Sequence, residues 1–111
     1  MARVLVLEPD AEIRRLFAQM LTRLGHEPRV LAAGDGADDC DAVLLEPAWD
    51  VGVERARRLA QGPAARPIVA ASVLSPGTAA AALPVVRYLV KPFTLVQLAD
   101  AIAEAVASRR R

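Results

Sequence analysis

Whatever chemistry this chain performs must come from a short set of residues: Glu8-Pro9-Asp10, Glu46-Pro47, Ser72, Tyr88 and Lys91-Pro92. All of them fall at or near the C-terminal end of a predicted strand. In an open parallel sheet that edge is where ligands and reactions gather, at the point where the strand order reverses. Lys91 opposite Glu46 can form a partly buried ion pair there. Other chemistries fail on composition. With His26 and Cys40 the only residues of their kinds, neither a Ser-His-Asp set nor a Cys/His metal cluster can be assembled. A dinucleotide site needs Gly-x-Gly-x-x-Gly after the first strand, and Glu8-Pro9-Asp10-Ala11-Glu12 contains no glycine. A P-loop is absent too, so the chain reads as a non-enzyme without a cofactor or resident metal.

The elements that must position these residues alternate between strand and helix. Arg3–Leu7 is a β-branched-rich run of the kind buried on both faces of a central parallel strand. Asp10 is a helix N-cap, and Ile13, Leu16, Phe17, Met20, Leu21 and Leu24 follow as an apolar stripe. Gly25 closes that helix in the left-handed conformation. A second strand is expected over Pro28–Ala32 and a third over Ala42–Leu45. A helix is expected over Val51–Gln61, with Val53, Ala56, Leu59 and Ala60 inward. Fourth and fifth strands cover Ile68–Ala71 and Val85–Val90. The last helix carries a capping box, Thr94 with Gln97, and a hydrophobic staple, Phe93 with Leu98. Its buried stripe is Leu95, Leu98, Ile102 and Val106. Such alternation predicts a parallel sheet with helices on both faces, in one domain over residues 1–111.

Two connections are short. Ala32–Asp41 is rich in Gly and Asp, poor helix material, so the crossover helix is expected to be absent or one turn long. Ser75–Pro84 leaves room for a short helix around Thr78–Leu83. One face of the sheet is therefore expected to be thinly covered, leaving an apolar patch that marks an interface. The expected partner is a protein or a second copy of the chain, and the alternative surface is the face of the fourth strand, fifth strand and last helix.

Four stretches, taken in order, carry a resemblance over essentially the whole chain: Val4–Arg14, Asp41–Glu46, Pro67–Ser72 and Tyr88-Leu89-Val90-Lys91-Pro92-Phe93. The sequence resembles the receiver domain of two-component response regulators. That resemblance implies a doubly wound five-stranded parallel sheet of order 2-1-3-4-5, here with the second helix reduced or absent and the fourth short. It also implies a phosphoacceptor at Glu46 and two Mg²⁺-binding acids at Glu8 and Pro9. Ser72 and Lys91 would bind phosphoryl oxygens, and Tyr88 would be the aromatic switch. The acceptor in that family is Asp, and the position of Pro9 is acidic. Octahedral Mg²⁺ takes carboxylates and water, and Pro9 supplies neither a side-chain ligand nor a backbone donor. Glu46 carries its carboxylate outward by about one methylene, roughly 1.5 Å. The loop after Glu46 is shorter than the family's.

The expectation is thus a degenerate, phosphorylation-independent receiver acting in signal transduction or transcription regulation as a protein-interaction module. Its vestigial site would be Glu46, Glu8, Pro9, Ser72 and Lys91. The Glu46–Lys91 pair reads either as a stand-in for the phosphorylated state or as a structural salt bridge. The alternative is a working receiver with an unusual acceptor such as Asp50. Tyr88 reads as a core-capping aromatic or a partner contact, and Trp49 as a lid or an exposed anchor. His26 reads as surface, and Lys91-Pro92 is a candidate cis peptide, since cis bonds are mostly a proline feature.

Composition bounds the rest. Of 111 residues 54% are hydrophobic, yet no apolar run approaches the ~18–20 residues that span a bilayer. No secretory signal is visible. A lone cysteine fits a reducing cytoplasm, so a cytoplasmic location without membrane contact is expected. The net charge of +1 and the single charge run Arg109-Arg110-Arg111 do not point to nucleic acid. That run reads as helix-dipole charge followed by a frayed tail.

Overall fold

In a computed structural model, residues 1–30, 39–61, 64–73 and 83–109 are described. The elements are β1 (Arg3–Leu7), α1 (Ala11–Arg23), β2 (Glu27–Val30), β3 (Ala42–Leu45), α2 (Asp50–Leu59), β4 (Ile68–Ser72), β5 (Val85–Val90) and α3 (Leu95–Arg109). The strands form one sheet, all parallel, in the expected order β2-β1-β3-β4-β5. Most of the crossover helix and short-helix expectations, over residues 32–38 and 78–82, lie outside the described residues.

Register decides where the functional residues end up. Leu7 pairs with Leu45, and the Glu46 N–H continues the ladder to Leu7 O at 2.9 Å. Glu8 and Glu46 therefore leave the sheet side by side. On the other flank Ser72 pairs with Val90, and the Lys91 N–H donates to Ser72 O at 2.9 Å. The Lys91-Pro92 bond is cis.

The pleat sends alternate side chains to opposite faces, and the core divides accordingly. Val4, Val6, Ala42, Leu44, Val69 and Ala71 pack with Phe17 and Leu21 of α1 and Leu98 and Ile102 of α3. Leu5, Leu7, Val43, Leu45 and Ile68 pack on the other face with Ala56 and Leu59 of α2, together with Cys40 and Leu83. The second face corrects the expectation of a bare patch: Leu5, Leu7, Val43 and Leu45 are all 0% exposed. Here α2 begins only one turn after Glu46 and packs against β3.

Helix ends follow their sequence signals. Asp10 accepts from the N–H groups of Glu12 and Ile13, at 2.9 and 3.1 Å, filling orphan donors of the first turn. Gly25 sits at φ 84°. Thr94 and Gln97 exchange side-chain-to-backbone bonds of 2.8 and 3.1 Å, a closed capping box. Boundaries differ by a residue or two: β2 starts at Glu27, α2 runs Asp50–Leu59, and β4 includes Ser72. Leu16 departs from the buried stripe at 52% exposure. At about 100° per residue it is rotated well away from Phe17 and lies on the flank of the helix.

The end of the sheet opposite the site is held by exposed ion pairs. Arg3 meets Asp39 and Asp41, and Arg29 meets Glu27 and Asp39. Arg109 reaches Asp41 at 3.1 Å and the Cys40 carbonyl at 3.3 Å. Arg109 thus stands as the expected basic charge in the last turn of α3 and adds contacts to the start of β3 that the sequence reading did not include; Arg110 and Arg111 lie outside the described residues. His26, expected at the surface, is half-buried, and its Nδ1 accepts from the Ala2 N–H at 3.1 Å. Burial, helped by the N-terminal positive charge, holds its pKa below the ordinary 6.5. The Arg3 backbone N–H holds the Asp41 carboxyl below the usual 3.8; burial opposes this, and the charges of Arg3 and Arg109 add to it.

Candidate functional site

Lys91 links the ends of three strands. Its Nζ donates to Glu8 Oε1 at 2.5 Å and to Glu46 Oε1 at 3.1 Å. The side chains of Lys91, Glu8 and Glu46 are only 10, 4 and 12% exposed. The second oxygens are engaged as well. Glu8 Oε2 accepts from the Asp10 N–H at 3.0 Å, and Glu46 Oε2 from the Ala48 N–H at 3.1 Å. All four carboxylate oxygens thus already accept a hydrogen bond from the chain itself, which is how buried charges are tolerated.

Two further residues belong to this cluster and were missed in the sequence. Arg14 donates to the Glu8 carbonyl at 3.0 Å. Two carboxylates against one ammonium leave one negative charge, and Arg14 places a second cation beside it. Phe17 lies under Lys91, its ring centroid 5.6 Å from Nζ, within the range of a cation–π contact. Phe93 stacks against Phe17 with centroids 5.1 Å apart. The apolar stripe of α1 marks Phe17 as core, which it is; only the path of the Lys91 stem makes it part of the site.

The other expected residues divide. Ser72 is brought in: it is buried at the end of β4, its carbonyl bonded to the Lys91 N–H. Pro9 is exposed and offers no ligand atom from its side chain. Tyr88 is half-buried on β5 opposite Ala70. Asp50 stands exposed in the first turn of α2, and Lys91 reaches Glu46 instead. Trp49 is neither lid nor exposed anchor. Its N–H donates to Glu46 O at 3.1 Å, and its ring turns down against α2. A Cβ built on Gly52 would lie 2.7 Å from Trp49 Cε3 and 3.1 Å from Leu45 Cδ1. A glycine inside a helical segment was the available signal for this packing.

The fold class implies a Mg²⁺ ion, and these residues do not fit one. Among the described residues two carboxylates converge here, the ammonium of Lys91 lies between them, and Pro9 stands where the resemblance implies an acid. Among the described residues no group of three His, Cys, Asp or Glu side chains could hold a metal ion.

No protein-family model matches the sequence, and no curated protein does. Solved structures do match. NtrX from Brucella abortus, solved with ADP, superposes at TM-score 0.81 with 24% identity, over 98% of this chain and 27% of that one. The present chain thus spans about a quarter of the length of NtrX. The signal receiver domain of a modulated diguanylate cyclase from Desulfovibrio desulfuricans G20 matches at 0.77 with 26% identity, over 99 and 97% of the two chains. The receiver domain of the sensor histidine kinase PA1611 from Pseudomonas aeruginosa PAO1, solved with magnesium in its active-site cleft, matches at 0.75 with 22% identity, over 96 and 98%. The fold is that of the receiver domain of two-component response regulators, as the four sequence stretches implied. Among the described residues no helix is long and apolar enough to cross a membrane.

Proposed function

We propose that this receiver domain works without phosphorylation, as a protein-interaction module in two-component signalling or transcription regulation. The observation that carries the reading is the Lys91 bridge. The ammonium that the resemblance assigns to a phosphoryl oxygen is shared between Glu8 and Glu46, and both remaining oxygens are held by backbone N–H groups. An acceptor must present a free oxygen in line with the phosphodonor, beside a cation that neutralises the developing charge. Here the oxygens are tied and Pro9 removes a ligand. Glu46 supplies one negative charge at this position, less than a phosphoryl group and with fewer acceptor oxygens, and the bridge holds the site in one state.

In this reading residues 1–111 act as one cytoplasmic binding domain rather than an enzyme. It needs no cofactor, its partner is a protein or a second copy, and membrane and nucleic acid are not involved. Nothing observed favours Asp50 as an acceptor. The test is incubation with acetyl phosphate or beryllofluoride plus Mg²⁺, followed by intact mass and by Trp49 and Tyr88 fluorescence. No adduct and an unchanged spectrum are expected. A phosphorylated species at Glu46 or Asp50 would overturn the proposal.

A further inference from the structure

One face of α1 carries a projecting apolar side chain between opposite charges. At 100° per residue, Glu12, Leu16, Gln19 and Arg23 fall within about 60° of one another, and all four are exposed. Leu16 protrudes from the middle of this stripe at 52% exposure. Glu12 and Arg23 stand at its two ends, about 16 Å apart along the helix axis, and neither side chain pairs with another described residue. Directly beside the stripe lies an apolar groove of about 260 Å³. Leu16, Phe17 and Met20 of α1 form one wall, and Val73, Pro92 and Phe93 the other. Val73 is itself 68% exposed.

We infer that a second copy of this chain docks here through an antiparallel α1–α1′ contact about a twofold axis. The argument is complementarity. A twofold contact is isologous, so each surface must fit itself. Reversing one α1 against another sets Glu12 of each copy by Arg23 of the other, and does so twice. It also brings the projecting Leu16 of each copy to the groove of its partner, covering apolar surface at both. A patch this small belongs to the weak end of specific interfaces, so a micromolar-to-submillimolar dimer is expected. The inference goes beyond the proposed function and does not depend on it, because this face would dimerise whether or not Glu46 were an acceptor.

Sedimentation velocity over a concentration series tests it, with circular dichroism to establish that each variant is folded. Leu16→Glu is expected to weaken the dimer at least tenfold. Glu12→Arg alone, which sets like charges together twice, is expected to weaken it comparably. The double swap Glu12→Arg/Arg23→Glu is expected to restore it, since the pairs re-form with reversed sign. If Leu16→Glu does not fold, the charge swap decides alone. A monomer throughout the series, a dimer indifferent to Glu12→Arg, a double swap that fails to restore association, or a groove that accepts only a different protein would each overturn the inference.

Discussion

The two ends of the sheet both carry several charges, handled in opposite ways. At the C-terminal ends of the strands, Glu8, Glu46 and Lys91 are almost shut off from water, and every carboxylate oxygen has a partner. At the N-terminal ends, Arg3, Arg29, Arg109, Asp39 and Asp41 meet on open surface, with side chains 30 to 61% exposed. Burial makes the first group an all-or-nothing arrangement, since removing one partner strands a charge in a poor solvent. Exposure makes the second group forgiving, because water and salt replace any lost partner. Elaborate charge geometry alone therefore says little about energy; solvent access decides.

The sharpest way to break this comparison is Lys91→Met, which leaves two carboxylates facing each other without a cation. A loss of about 3–5 kcal/mol is expected in urea unfolding. The triple change Glu8→Gln/Glu46→Gln/Lys91→Met should recover much of it by removing the stranded charge. A loss below about 1 kcal/mol for the single change would mean that the two ends are energetically alike. Next in size is Gly52→Ala. Its Cβ would stand 2.7 Å from the Trp49 ring, so a cost of about 1–3 kcal/mol from overpacking is expected, with a shift in tryptophan emission; an unchanged spectrum would show that the ring yields freely.

At the opposite end, Asp41→Asn is expected to cost under about 1 kcal/mol, less still in high salt. Its pH signature has a definite sign. The folded carboxyl is held below 3.8, so its contribution is complete above that value and disappears as pH falls through the lowered one. The smallest effect belongs to His26. Its folded pKa is lowered from 6.5, so the unfolded chain takes the proton first. Stability should be full above 6.5 and decline as pH falls below it toward the depressed value. His26→Gln should flatten that part of the pH–stability curve, and an identical slope in wild type and variant would dismiss the assignment.

Much of the architecture was legible in the sequence because the signals were local. Asp10, Gly25, and Thr94 with Gln97 each announce a helix end by their own chemistry. The short two-sided apolar runs define central parallel strands. Glu46 opposite Lys91 followed from the strand ends taken together with the resemblance to receiver domains. What stayed hidden depended on where long side chains reach. The Lys91 stem lies over Phe17 and finds Glu8 as well as Glu46, a choice that rotamers make and spacing does not. Trp49 turned inward because Gly52 left room for it. Leu16 belonged to the apolar stripe by spacing and left it by rotation. The bare face was expected from a short crossover, whereas Leu5, Leu7, Val43 and Leu45 are buried in a cluster with Ala56 and Leu59 of α2, Cys40 and Leu83. His26 follows a helix-terminating glycine, a place that ordinarily faces water, and only the return of the chain past Ala2 buries it.

The contact between Trp49 and Gly52 restricts how this sequence can change. Glycine within a helix ordinarily costs roughly 0.5–1 kcal/mol relative to alanine, so replacing it is usually an improvement. Here that common improvement is closed off while the indole is in place. Removing the indole first leaves a void against Leu45 and still keeps the glycine, and filling a cavity late does not help the intermediate that must fold without it. Either order of single changes passes through a weaker protein. The two residues are entrenched together, and with them the short junction that follows Glu46. An acid placed at position 9 would add a ligand atom without altering the turn between Glu46 and α2, which the packed pair of Trp49 and Gly52 holds at its present length.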